Sequence, residues 1–519
     1  MNGKGTTSAS KAGGPVVTVP PLLALALALV VVLVPIWSVA IPPLLDYPNH
    51  LARQYILAGL PDSAVLQQFY IAEWRPVPNL AMDAVVQALS GILAVDIAGK
   101  VFLSSALLLV ALAPIALSRA LFGHITPISL AGLLLVNSEV VGLGFVNFVF
   151  SAGLALCLLA AWIQFRKRPL WIALAAFPLL SLALFFAHLT GYGVYVALAC
   201  AYELGLALRG IRGRRREGVG LLWRDSWPFY ISLALQIAVP MAVFLLASPI
   251  SAAPEPSVYG GIWRKIEMLG GLFFYLVQPH SWIVDRGLAI ALTAAMVALT
   301  LLRAVAVSRV MALPLICMLL VFLLTPMSLF GGWGADHRLL LPLGLLLAGS
   351  CRMTKGTVRQ WTAVGAAVVV AVVSRTAVVT GEWHRANRTY EEYQRAFESL
   401  EDGSKVYFAA GHTGGQRTWP APAYFLPCLA VSKKDIYLPY LFANPSQQPL
   451  RYTSRFEDLQ RISRGPVLTH GESPNWDTLR RSFDYFLLTN EQFFRDPVPK
   501  DMIPVFRGKQ VAVYRNPDS

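Results

Sequence analysis

Residues 20–55 read "PPLLALALALVVVLVPIWSVAIPPLLDYPNHLARQY". The part up to Ile41 carries no charge and is long enough to cross, as a helix, a hydrocarbon layer of about 30 Å. An acid, an imidazole and a guanidinium, Asp46, His50 and Arg53, follow at once. This order predicts a membrane span that opens directly onto a polar outer loop. Ser38-Val39-Ala40 resembles a signal-peptidase site, but the apolar stretch exceeds a usual leader core of about 7 to 15 residues, so it reads as an uncleaved first span.

The pattern recurs along the chain, which has 519 residues, 56% of them hydrophobic and 14% charged, with a mean hydropathy of +0.56. Soluble domains average roughly 25% charged residues, so a polytopic α-helical membrane protein is predicted. Apolar runs near 20–41, 101–122, 125–142, 143–164, 169–187, 191–208, 228–248, 287–307, 310–330, 339–351 and 361–380 suggest about eleven crossings. The domain organisation follows: a transmembrane domain over 1–381, with an outer loop at 42–100, and a water-soluble domain over 382–519.

The net charge of +14 raises the question of nucleic acid. Its basic residues, however, lie largely in short clusters between apolar runs, "RKR" at 166–168 and "RGIRGRRR" at 209–216, joined by Arg303, Arg309, Arg352, Lys355 and Arg359. Such clusters are topology signals, and no nucleic-acid partner is expected. The positive-inside rule puts them in the cytoplasm, with the N-terminus inside and the C-terminal domain outside. Two further segments, 264–280 and 80–100, read as interfacial or amphipathic elements on the outer side. The 5 cysteines form neither a CxxC site nor a disulfide framework.

Pro48 suits a first helical turn, so a short helix is expected just after Asp46. Spacings of four and three residues set Asp46, His50 and Arg53 on one side of it. The dipole at its N-terminus favours an ionised carboxylate, so Asp46 is expected to be an acceptor or base. Elsewhere on the outer face, Arg264, Lys265, His337 and Arg338 stand at the edges of apolar segments, although a positive-inside protein should be poor in outward cations. Together with Arg75, His280 and Arg286 they suggest a receptor for an anionic group such as a phosphate. His188, in "LFFAHLTGYG", marks a break between two spans on the same side and is a further binding candidate. Two second carboxylates are candidates: Asp336, in "GGWGADHRLLLPLG", and Glu139, in "NSEVVGLGFVNF". Glu139 is open to two readings, a ligand to a divalent cation or a solvated turn acid.

A first outer loop with an acid just after the first span, an interfacial helix behind it, many spans and an extracytoplasmic C-terminal domain resemble the GT-C class of membrane glycosyltransferases. "LLDYPNHLAR" matches that pattern in the position of Asp46 and lacks the Asp-Glu pair of the protein mannosyltransferase and aminoarabinose transferase branches. The resemblance implies a sugar donor linked to polyprenyl phosphate and a glycan, lipid or protein acceptor among membrane lipids. It also implies a multi-pass protein of a bacterial inner membrane with a periplasmic C-terminal domain. Asp46 would be the catalytic base, with His50, Arg53, His188, Arg264, Lys265, His337 and Arg338 around the substrate. Inversion at the anomeric carbon would follow, because no nucleophile stands close to an acid.

In the C-terminal part, "KVYFAA", "FDYFLLTN" and "QVAVYRN" read as strands, and "NRTYEEYQRAFESLE" at 387–401 as a helix, giving a small α/β domain. The loop "AAGHTGGQRTWP", with His412 and Arg417, lacks the spacing of a nucleotide-binding fingerprint. Two other functions fit parts of the pattern. A transporter or flippase would be expected to show internal repeats and charges near midspan, and neither is evident. A non-catalytic envelope-assembly protein would share the architecture and tolerate loss of Asp46.

Overall fold

The computed structural model describes residues 19–166, 170–213, 219–249, 256–269, 281–330, 332–411, 422–463, 467–468 and 472–519. Residues 1–18, segment 270–280 with His280, and the loop residues His412 and Arg417 lie outside the described residues.

By length and composition, five helices among the described residues can cross a membrane: Val95–Phe122, Val146–Phe165, Leu189–Arg209, Trp227–Ala247 and Val358–Glu398. The run at 287–307 falls largely in the helix Ser281–Leu301, and most of the remaining apolar runs form shorter elements. The first is divided into Val19–Val31 and Val34–Ser38, with Pro35 in the first turn of the second helix. The run at 125–142, expected as a span, is a 3-10 helix over Pro127–Asn137 followed by a single turn, Glu139–Gly142. It is pressed against the helix Val95–Phe122: a Cβ built on Gly132 would lie 2.3 Å from Pro114 Cγ. The same close approach operates at Gly153, where a Cβ would come within 2.7 Å of the Leu109 backbone, the small-residue packing by which helices associate in lipid. The run at 339–351 holds an eleven-residue helix, Leu340–Ser350, roughly 16 Å long at 1.5 Å per residue.

The segment 42–100, expected as an outer loop, folds back on the C-terminal part. Residues 80–100, expected to lie along the membrane as one amphipathic helix, form Ala81–Ser90 and the start of Val95–Phe122. Ala81, Met82, Asp83 and Val86 of the first helix are buried within the protein. Strand Tyr70–Ala72 pairs antiparallel with Leu450–Tyr452, and Tyr55 and Ser63 donate to the Asp435 carboxylate at 2.8 and 2.9 Å.

The helix Val358–Glu398 starts at a capping box, Thr357 with Gln360, and runs unbroken through 381/382, where a domain boundary was expected. It delivers the chain to a five-stranded sheet in the order Ile503–Arg507, Val511–Arg515, Tyr485–Thr489, Val406–Gly411 and Val467–Leu468. Val406–Gly411 is parallel to its two neighbours, and the other pairs are antiparallel. The three strands predicted from alternation are all present. The two outermost strands, one of only two residues, were not anticipated.

Candidate functional site

Asp46 is placed by two backbone bonds from the loop before it. Leu45 N donates to Gly142 O at 3.0 Å, and Asp46 N donates to Leu143 O at 3.1 Å. Gly144 makes this contact possible. Its φ is +79°, and a Cβ there would lie 2.7 Å from Asp46 N. Asp46 then occupies the N-cap position of helix Tyr47–Gly59, with Pro48 in the first turn as expected, but its side chain makes no capping hydrogen bond. The carboxylate instead lines a cavity of about 870 Å³.

The cavity reaches from the apolar helices, at Val194, Ala197, Met241 and Val321, to the C-terminal part of the chain, at Tyr424, Phe442 and Gln448. Four residues singled out from the sequence share its wall: Asp46, His50, His188 and Arg338. The guanidinium of Arg338 lies over the Phe145 ring at 4.2 Å, and its buried Nε has no hydrogen-bond partner among the described residues. His50 packs edge-on against Phe442 at 5.0 Å, with its Nδ1 likewise unpartnered. His188 Nδ1 accepts from Thr190 N at 3.1 Å, so the proton of the neutral ring sits on Nε2.

Burial and charge set the protonation of this group. Burial raises the Asp46 carboxyl to about 7, and the Arg338 cation partly opposes the rise. The expected ionisation by the helix dipole is thus corrected: lacking a capping bond, Asp46 is governed by the dry wall around it. Burial lowers Arg338 to about 10, with Asp46 pulling it back up, so Arg338 stays charged at neutral pH. His50 and His188 are held well below the ordinary imidazole value by burial and then by nearby arginines, so both are neutral.

The other candidates lie elsewhere. Arg53 is fully buried in a bidentate pair with Asp83, at 2.8 and 3.0 Å, which Gln54 reinforces at 2.8 Å. It does not share the polar edge expected with Asp46 and His50. Asp336 accepts from Arg264 at 2.5 Å and from Lys265 at 3.3 Å, and Lys265 also donates to Phe322 O and Thr325 O. These three brace the short helix Ala335–Arg338. His337 Nε2 meets Glu139 Oε2 at 3.0 Å. Among the described residues, no three His, Cys, Asp or Glu side chains gather as a metal-binding group.

The site also has a part that was not anticipated. Asn79 lines the cavity and accepts through Oδ1 from Asn147 Nδ2 at 2.9 Å, while Asn147 Oδ1 receives Met82 N at 2.7 Å. Gln447 donates to Phe330 O at 2.9 Å and so ties the C-terminal part of the chain to the hairpin Ser328–Leu329 with Gly332–Trp333. A polar "NPSQQ" after an apolar stretch was the available signal for this wall, but nothing local shows that it returns to the membrane helices.

Two solved structures share this arrangement of the chain. ArnT from Cupriavidus metallidurans bound to undecaprenyl phosphate aligns with a TM-score of 0.53 at 11% identity, over 96% of this chain and 98% of that one. The chain has the ArnT fold. ArnT in the apo state gives a TM-score of 0.52 at 12% identity, over 95% and 97%. No family model and no curated protein matches the sequence. The resemblance to GT-C membrane glycosyltransferases, read from the first loop and the spans, is therefore met in the fold, and ArnT shares it over nearly the whole chain.

Proposed function

We propose that this protein is a membrane glycosyltransferase that moves a sugar from a polyprenyl-phosphate-linked donor to an envelope acceptor, a glycan, lipid or protein, with Asp46 as base. The observation that carries the reading is Arg338: a charged guanidinium, its Nε without a partner among the described residues, at the wall of a largely apolar cavity and within the electrostatic reach of Asp46. A cation so placed is an anion receptor. The undecaprenyl phosphate held by ArnT has the matching chemistry, a phosphate joined to a long apolar chain.

In this mechanism the polyprenyl tail leaves the cavity between the apolar helices while Arg338 holds the phosphate. Asp46 takes the proton of the acceptor hydroxyl. The hydroxyl oxygen bonds to the anomeric carbon as the bond from that carbon to the phosphate oxygen breaks, and the pair of electrons leaves with the phosphate. One displacement inverts the anomeric centre. A carboxyl near 7 suits this role, since a base works best when its pKa is close to the working pH. In this reading the chain is a multi-pass protein of a bacterial inner membrane with about eleven crossings. Its N-terminus is cytoplasmic, and the cavity and C-terminal domain are periplasmic.

The test is Asp46→Asn in the full chain reconstituted in nanodiscs. The variant should lose turnover of a polyprenyl-phosphate sugar and still bind undecaprenyl phosphate. Unchanged turnover would remove Asp46 from the chemistry, and an unaffected envelope phenotype in cells would favour a scaffold.

A further inference from the structure

We infer that the C-terminal wall of the cavity is a binding site for a hydroxylated sugar ring, read by Gln448; the inference rests on the glycosyltransferase reading. Gln448 is 7% exposed, lines the cavity, and its Oε1 has no hydrogen-bond partner among the described residues. The residue is held firmly. Its backbone N–H donates to Asn444 O at 2.8 Å, and the Asn444 side chain receives Ser446 N and Oγ at 3.0 and 2.8 Å. The next residue, Pro449, accepts from Glu73 N at 2.7 Å.

A buried acceptor oxygen on a fixed turn needs a donor. Neither part of a polyprenyl phosphate supplies one: the ionised phosphate has only acceptors, and the tail has no polar group. A sugar hydroxyl does. The neighbouring Phe425 and Phe442, 5.4 Å apart, add apolar faces suited to the C–H side of a ring. The cavity is thereby divided by chemistry, with a donor, Arg338, for the anion and an acceptor, Gln448, for hydroxyls. The sugar comes either from the donor or from the acceptor glycan, and the hydrogen-bonding requirement is the same.

Saturation-transfer NMR on the full chain in nanodiscs, with a panel of methyl hexosides and pentosides, tests this. At least one glycoside should give a signal, weakened about tenfold in affinity by Gln448→Leu, the loss expected when a buried sugar hydroxyl loses its acceptor. Gln448→Glu, which keeps an acceptor oxygen, should retain binding. Undecaprenyl phosphate affinity should be the same in Gln448→Leu and the parent, which also reports that this variant folds. Undecaprenyl phosphate carrying the same sugar displaces the glycoside if the wall holds the donor's sugar and leaves it bound if the wall holds the acceptor. Absence of signal from every glycoside while undecaprenyl phosphate binds, or equal affinity in Gln448→Leu, would overturn the inference. Glycoside binding without undecaprenyl phosphate binding would keep the sugar wall and reject the lipid donor.

Discussion

Replacing Arg338 with Met separates the anion receptor from the rest of the cavity. The flexible thioether keeps apolar contact with Phe145, over which the guanidinium now lies at 4.2 Å, and removes the charge and the donor fork. Among the described residues Arg338 forms no salt bridge and its Nε has no hydrogen-bond partner, so the effect should fall on the ligand and not on folding. A hydrogen bond to a charged group contributes about 1.5–3 kcal/mol, which is about a 10- to 150-fold loss of affinity for undecaprenyl phosphate. Arg338→Lys should fall between, since the ammonium restores charge without the planar fork. Titration of the nanodisc-embedded protein, followed by native mass spectrometry, measures this, with undecaprenol as the control lacking phosphate. Equal affinity of the Met variant and the parent for undecaprenyl phosphate, or an equal loss for undecaprenol, would exclude Arg338 as the phosphate receptor. The same variant removes the field that lowers Asp46, so the pH midpoint of turnover should move upward from about 7.

Further outcomes follow from the same geometry. Asp46 is raised from 3.8 to about 7, so it is protonated and idle below that pH and a base above it; turnover should climb through pH 7, and a flat profile there would exclude it as the base. Arg53→Met strands the buried Asp83 carboxylate, which should lower stability by about 3–5 kcal/mol in thermal unfolding while leaving undecaprenyl phosphate affinity of the folded protein unchanged. A specific loss of lipid affinity would return Arg53 to the site. Gly144→Ala imposes a left-handed φ on alanine and a Cβ 2.7 Å from Asp46 N. It should cost about 1–3 kcal/mol and reduce turnover, both measurable against the parent, and wild-type turnover would show that the loop does not position Asp46.

The fold was legible where physics acts locally. Uncharged runs gave the long helices, alternation gave three central strands, and the acid after the first span, with an arginine at the head of another apolar run, gave two sides of one cavity. What failed was pairing at a distance. Periodicity put Arg53 beside His50, but a buried carboxylate on a neighbouring helix, Asp83, claimed it. In Asp336-His337-Arg338 each residue turns about 100° from the last, so the three reach different surroundings: Asp336 meets Arg264 and Lys265, His337 meets Glu139, and Arg338 reaches the cavity. Gln448 and Asn79 were invisible for the opposite reason. Polar residues in loops are ordinary, and their place in the cavity wall depends on distant chain segments, Asn147 for Asn79 and Glu73 for the turn that holds Gln448.

The most direct measurement is a density map of the full chain in nanodiscs with undecaprenyl phosphate. The phosphate is expected within about 3 Å of the Arg338 guanidinium, facing Asp46, with the tail running past Ala197 and Met241. Phosphate density outside this cavity, or seated on Arg264 and Lys265, would contradict it.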